Sequence, residues 1–329
     1  MWNAILAGVV FQHPPLESLR RELSRNGQLR EMVGFGRRVP SAWAYTRFLH
    51  RIVDHLDDVE AMVHQEDLQQ ALPDFGERLA IDSKALESVA KHRSDQTTPD
   101  GRGDTDADGG KKTYPGVDAK GKAWEKVIAW VGDKVHLLVD AAYELPVAWT
   151  VTQASTANIT EAATVLAQPH ENHPLALNAA RVLSADRGYD ATAWVASLWD
   201  DYRIKPVIDI RNLGKDGDAS RVLPGYATVT DNYRGDVFCH HPDTGAAPPM
   251  AHGGFEADRD ALTQRGPAKF SGVTCDAQAR CPVAQGIRIP LGMDRRIFTP
   301  IDRSSYAWQR EYAHRTAVER VNILLADKS

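Results

Sequence analysis

Apolar positions fall into three regimes along the chain. From residue 1 to about 75 they recur at helical spacing, as in Leu16-Glu-Ser-Leu-Arg-Arg-Glu-Leu23, where offsets of three and four put side chains on one helix face. Pro40-Ser41 ahead of Ala42-Trp-Ala-Tyr-Thr-Arg-Phe-Leu-His-Arg-Ile52 reads as a capped helix start. Asp54 to Leu72 continues in the same mode. The opening Met1-Trp-Asn-Ala-Ile-Leu-Ala-Gly-Val-Val-Phe11 lacks the basic leading region of a signal peptide, and Gln12-His-Pro-Pro15 is a poor cleavage context. It reads as a buried segment of the helical unit.

From Arg78 the apolar runs shorten. Arg78 to Ile81 predicts a strand ending at Asp82. Residues 92–122 are polar, and Asp100-Gly-Arg-Gly-Asp-Thr-Asp-Ala-Asp-Gly-Gly110 has the composition of a calcium loop. The ligand spacing fails and no Glu closes it, so the segment reads as a flexible loop. Trp124 to Trp130 is a short apolar element leading out of it. Lys134–Val139 and Leu145–Thr152 form an antiparallel hairpin. A short helix follows, capped by Asn158 or Thr160. Arg181–Ala185 is a strand, Ala191–Tyr202 a helix and Lys205–Ile210 a strand. That order predicts a mixed sheet with helices on its faces. In the third regime, residues 212–300, Gly and Pro interrupt short β-like runs that hold all three Cys. It reads as an insertion.

Three carboxylates stand out. Asp82 and Asp186 each close an apolar run, and Tyr312-Ala-His-Arg315-Thr-Ala-Val-Glu319 spaces Tyr, Arg and Glu by three and then four. On a continuous helix those three share a face. Hard oxygen ligands of this kind suit Mg²⁺ or Mn²⁺, and two such ions serve phosphodiester chemistry. Taken singly, an Asp after a strand caps a helix and a Glu on a polar face is solvated; the meaning lies in the set and its order. Two further acids have bland readings, Asp140 as a turn residue and Asp190 as a helix cap.

These segments resemble the DDE transposases of bacterial insertion sequences, in the group whose catalytic glutamate follows a β-rich insertion. The resemblance rests on Gly34-Phe-Gly-Arg-Arg-Val-Pro-Ser41, Ile81-Asp82-Ser83, and His136-Leu-Leu-Val-Asp140 running into Leu145-Pro-Val147. It continues in Ala185-Asp186-Arg-Gly-Tyr189, Lys205-Pro-Val-Ile-Asp-Ile-Arg211 and the Tyr312/Arg315/Glu319 segment. It implies an α/β, ribonuclease-H-like mixed sheet with flanking helices in residues 76–329, holding the 92–122 loop and the 212–300 insertion. A helical domain over 1–75 would recognise the ends of the element. Asp82, Asp186 and Glu319 are then the catalytic metal ligands, with Tyr312, Arg315 and Lys328 meeting DNA. The implied activity is metal-dependent cleavage at element ends and strand transfer into target DNA, by a homodimer on DNA in the bacterial cytoplasm, at the nucleoid. The family carries a Lys seven residues after its Glu, where this chain has Ala326, and continues with helices beyond the position of Ser329. A truncated copy is therefore expected. Two alternatives stand beside an active transposase: a decayed remnant that only binds DNA, and a ribonuclease-H-like nuclease without strand transfer.

Composition changes the picture in two places. With 39 Lys and Arg against 44 Asp and Glu the formal charge is −5, so DNA binding needs a local basic patch. Arg20, Arg21, Arg25, Arg30, Arg37 and Arg38 supply one near the start, as DNA contacts or as a solvated helix face. No run of about 18 apolar residues predicts a membrane span. Three Cys in 329 residues argue against a disulfide framework and for a reducing compartment. Cys239, Cys275 and Cys281 with His241 (or His240) fit either a structural Zn²⁺ site stapling the insertion or three unligated small core residues.

Overall fold

The computed structural model describes residues 1–13, 16–55, 71–88, 106–118, 120–172, 174–211, 220–267 and 275–326. Its contacts divide the chain into two units, Met1–Pro73 with Arg320–Ser329, and Asp74–Glu319.

The first unit contains α1 (Trp2–Val10), α2 (Leu16–Arg25), α3 (Gly27–Met32) and α4 (Ala42–Val53). Asn26 and Ser41 start the last two, their side chains accepting from the backbone N–H of Leu29 at 3.0 Å and Ala44 at 3.3 Å. The helical spacing read from sequence is the buried stripe: Leu19, Leu23, Leu29, Val33 and Tyr45 pack with Ala4. The first segment is only half buried, because Leu6, Val10 and Phe11 are exposed while Ala4 and Ala7 are not. Two of the six arginines hold the unit together. Arg20 Nε donates to the Pro40 carbonyl, and Arg30 reaches the carbonyls of Leu23, Ser24 and Gly36. Of the predicted run from Asp54 to Leu72, residues 56–70 lie outside the described residues.

In the second unit β1 (Arg78–Glu87), β2 (Asp108–Val117), β3 (Ala123–Asp140) and β4 (Leu145–Gln153) precede α5 (Asn158–Asn172) and α6 (Pro174–Ala179). Then come β5 (Val182–Ala185), α7 (Thr192–Asp200) and β6 (Lys205–Ile208). The core order is β4-β3-β1-β5-β6, antiparallel across β4, β3 and β1 and parallel across β1, β5 and β6. Three consecutive antiparallel strands followed by two helix-connected parallel ones is the ribonuclease-H-like arrangement that the sequence led us to expect. Val182-Leu-Ser-Ala185 is buried throughout, as a parallel strand covered on both faces requires.

Two strand limits differ from expectation. β1 does not stop at Asp82 but runs on to Glu87, paired with β3 as far as Gly132. The 92–122 segment is not loop throughout, since β2 pairs with the exposed first half of β3 over Asp108–Val117; residues 92–105 and 119 lie outside the described residues. Gly and Lys count against a strand locally, but here the glycines make room for rings. A Cβ on Gly110 would lie 2.3 Å from the Trp130 ring, and one on Gly116 2.2 Å from Trp124. Cross-strand shape, invisible to local propensity, sets the pairing.

The insertion forms two three-stranded antiparallel sheets. One is β7 (Arg221–Val222), β8 (Val229–Asp231) and β9 (Val237–Cys239); the other is β10 (Ala251–Glu256), β11 (Ala261–Arg265) and β12 (Ile287–Pro290). Leu223, Val237, Leu262, Ile289 and Phe298 give them a common core. The chain returns through Asp302, which is buried and accepts from Gln264 Nε2 at 2.9 Å while pairing with His252 Nδ1 at 2.8 Å. That anchor fixes where α8 (Tyr306–Ala313) and α9 (Thr316–Ala326) begin.

Candidate active site

Ile81 on β1 pairs with Ala185 on β5 in parallel register, so Asp82, within β1, and Asp186, just past the end of β5, stand side by side. Asp186 caps a 3₁₀ turn over Arg187–Tyr189, its Oδ1 accepting from Gly188 N–H at 2.7 Å. A Cβ at residue 188 would stand 2.7 Å from that same oxygen, which is why glycine follows Asp-Arg. Burial pushes the Asp82 carboxyl up to about 6, and the Asp186 charge adds to it against the Ser83 N–H, Lys112 and Arg315. Burial, then the charges of Asp82 and Asp186, also raise the Tyr189 phenol. Among the described residues its hydroxyl has no hydrogen-bond partner, and no protein cation forms an ion pair with Asp82 or Asp186. Two crowded, unneutralised carboxylates beside an orphaned hydroxyl fit a hard divalent cation in their donor chemistry.

The third carboxylate is placed differently from the sequence expectation. Tyr312, Arg315 and Glu319 do not lie on one continuous helix. The Thr316 hydroxyl takes the Ala313 carbonyl at 3.0 Å, and Ala317 N–H turns to His314 at 3.0 Å. That local competition ends α8 and starts α9 across His314–Arg315. The side chains still meet. Arg315 Nη1 pairs with the Glu319 carboxylate at 2.5 Å, and its guanidinium lies 5.5 Å over the Tyr312 ring. Tyr312 stacks on Trp308 at 4.8 Å, and the guanidinium of the buried Arg303 lies 4.7 Å over the Trp308 ring. Two cations thus contact one stacked ring pair, and Arg315 is within electrostatic reach of Asp82. Burial and the charge of Asp209 raise the Tyr312 hydroxyl, keeping it a neutral donor.

Of the remaining sequence candidates, Asp140 is a turn residue, buried and accepting from the N–H groups of Gly76, Ala142 and Tyr143. Asp190 is not the cap of α7. That place falls to Ala191 without a side-chain bond, while Asp190 pairs with Arg296 and accepts from Arg211 N–H. Neither proposed cap starts α5 by its side chain: Asn158 Oδ1 accepts the Ser83 hydroxyl at 2.8 Å. Lys328 lies outside the described residues. Three groups near the acids escaped the sequence reading. Asn158 ties α5 to the residue after Asp82, Lys112 on β2 acts on the Asp82 charge, and Asp209 at the end of β6 pairs with Arg187 at 2.9 Å. Asp209 had a signal, an acid closing a third apolar run. The other two had none before the strands were paired.

Within the insertion, the Cys239 and Cys281 thiols hydrogen-bond and Cys275 is near; burial, above all, pushes the Cys239 thiol up to about 11. Among the described residues His241, Cys275 and Asp276 bring their ligand atoms within 4.8 Å of one another; Asp82, Asp186 and Glu319 are not gathered that tightly.

Residues 74–236 match the family model described as the transposase DDE domain. Those residues form a transposase DDE domain. The match takes in Asp82 and Asp186 and ends before Glu319. No curated protein and no solved structure gave a match. Transposases of this type act on DNA and generally use divalent ions such as Mg²⁺. Among the described residues of this one, no helix is long and apolar enough to cross a membrane.

Proposed function

We propose that this transposase cleaves DNA at the ends of a bacterial insertion element and joins those ends to target DNA. The observation that carries the reading is the pair of crowded carboxylates, Asp82 and Asp186, on adjacent parallel strands, neither in an ion pair among the described residues. Held by Asp82, Asp186 and Glu319, Mg²⁺ or Mn²⁺ would supply Lewis-acid polarisation of the phosphodiester and would lower the pKa of the attacking water. In the first reaction the oxygen of water forms a bond to phosphorus, and the bond from phosphorus to the 3′ oxygen breaks. The freed 3′-hydroxyl then makes the same in-line attack on a target phosphate, whose own 3′ oxygen leaves.

The chain's side chains orient that phosphate. The Arg315 guanidinium grips its non-bridging oxygens and the neutral Tyr312 hydroxyl donates to it. Arg315 now holds Glu319. A phosphate taking the guanidinium frees that carboxylate, so substrate binding completes the acidic set. The helical N-terminal unit, with Arg21, Arg25, Arg37 and Arg38 exposed, recognises the element's ends, and Lys328 adds a further DNA contact. Two ends demand two sites, hence a homodimer on DNA at the nucleoid.

One observation favours a second reading, that of a silent DNA-binding remnant. Glu319 is engaged by Arg315 and not gathered with the two aspartates.

The test is labelled DNA carrying the sequences that flank this gene, with and without Mg²⁺. Nicking at the repeat boundary with metal alone, lost in Asp186→Asn and Glu319→Gln with DNA retardation intact, is the expected result. Retardation without nicking selects the remnant. Cleavage without joining selects a ribonuclease-H-like nuclease, and wild-type rates in either variant remove that residue from the site.

A further inference from the structure

The insertion contains a second concentration of chemistry that the carboxylate site does not use. Cys239, His241, Cys275 and Cys281 all line one cavity of about 590 Å³ between β9 and the turn before β12. All three cysteines are free thiols, partly buried. Two backbone frames hold them. Cys239 ends β9 with its N–H on the Pro248 carbonyl at 3.1 Å, and Cys275 and Cys281 flank a turn closed by Gln278 N–H to Cys275 O at 3.1 Å and Cys281 N–H to Gln278 O at 3.3 Å. Of the two neighbouring histidines, His240 is committed to the Thr230 hydroxyl at 2.8 Å.

His241 is oriented as a ligand. Its Nδ1 accepts from the N–H groups of Asp243 and Thr244, both long at 3.2 Å, which places the ring proton on Nε2 against Asp276 Oδ1 at 2.5 Å. The carboxylate behind Nε2 fixes the tautomer, and Nδ1 is the nitrogen a metal would take once the two long N–H contacts give way to it. Three sulfurs and one imidazole nitrogen form a soft donor set, which selects Zn²⁺ over the hard cation of an acidic site. Four protein ligands with none left for substrate make such a site structural.

We propose that Cys239, His241, Cys275 and Cys281 bind one Zn²⁺, with Asp276 orienting His241. The ion joins the β7–β9 hairpins to the segment preceding β12. The insertion leads directly to Asp302 and α8, so the staple steadies the approach to Tyr312, Arg315 and Glu319. Because the donors are independent of the acidic pair, this inference stands or falls apart from the transposition chemistry.

The full chain, purified without chelator or nickel resin, should carry one equivalent of zinc by mass spectrometry of the metal. Stripped protein reloaded with CoCl₂ should show the strong visible absorption of a tetrahedral cobalt–thiolate site, a readout that needs no variant. Chelation should lower the thermal midpoint and ZnCl₂ restore it. Cys239→Ser and Cys281→Ser should lose the metal, while Asp276→Ala, at an exposed position, should keep the fold and weaken zinc binding about 10- to 100-fold. Protein that retains no zinc and gives no cobalt band overturns the proposal. So does a Cys239–Cys281 disulfide in a non-reducing peptide map, or stoichiometric zinc that survives both serine variants.

Discussion

If the Asp82 carboxylate is crowded and unneutralised, it costs stability whenever it is ionised. Its folded value of about 6 lies above the ordinary 3.8. A raised carboxylate binds protons more tightly in the folded chain, so stability is fullest below 3.8 and falls as pH climbs to about 6. The shift of about 2 units corresponds to about 3 kcal/mol at about pH 8, shrinking to about 1 kcal/mol at about pH 4.5. Asp82→Asn removes the charge at nearly constant shape. The metal-free variant should therefore be up to about 3 kcal/mol more stable than wild type at about pH 8, with most of the gain gone at about pH 4.5. Added Mg²⁺ should narrow the gap by stabilising wild type alone, through preferential binding to the folded state. The assay is urea unfolding of both proteins at the two pH values, with chelator and then with MgCl₂. A variant less stable than wild type at the higher pH, or a difference that ignores pH, would refute the crowded-carboxylate argument. The same substitution should abolish nicking, so stability and function should move in opposite directions at one residue.

Two further tests follow from buried charge. His136 is buried with its pKa lowered to about 4, first by burial and then by Lys134. The unfolded chain takes a proton that the folded one refuses, so stability should fall by about 3 kcal/mol as pH drops from 6.5 towards 4; His136→Gln should flatten that slope in pH-dependent urea midpoints, and an unchanged slope would contradict the assignment. Arg296 neutralises Asp190, whose side chain is only 2% exposed. Arg296→Met should cost about 3–5 kcal/mol in urea unfolding by stranding that carboxylate, and adding Asp190→Asn should restore much of it; equal losses in single and double variants would show that the guanidinium's packing, not its charge, matters.

The core sheet was legible because each of its strands carries its own local signal. Val182-Leu-Ser-Ala185 is apolar through and through, and the runs that became β3 and β4 are bounded by a tight turn. The helix start at Ser41 needs only a side-chain oxygen three residues before a backbone N–H. Where expectation failed, a distant partner had decided the outcome. The reach of β1 beyond Asp82 depends on β3 being there to receive its hydrogen bonds. β2 depends on two tryptophan rings that only the paired strand delivers to Gly110 and Gly116. Asp190 looked like a cap from its position before α7, yet Arg296, 106 residues away, claimed it.

By itself, then, the sequence determined most of the core elements and the helix start at Ser41, because those depend on periodicity and on neighbours within a few positions. It also held the acidic residues in an order that pointed to a DDE transposase. Only the tertiary structure decided that Asp82 and Asp186 stand side by side, in no ion pair among the described residues, with Asn158, Lys112 and Asp209 nearby. It also decided that the last acid begins in the grip of Arg315. Register between strands and charge between distant carboxylates are properties of pairs, and no single position in the chain encodes a pair.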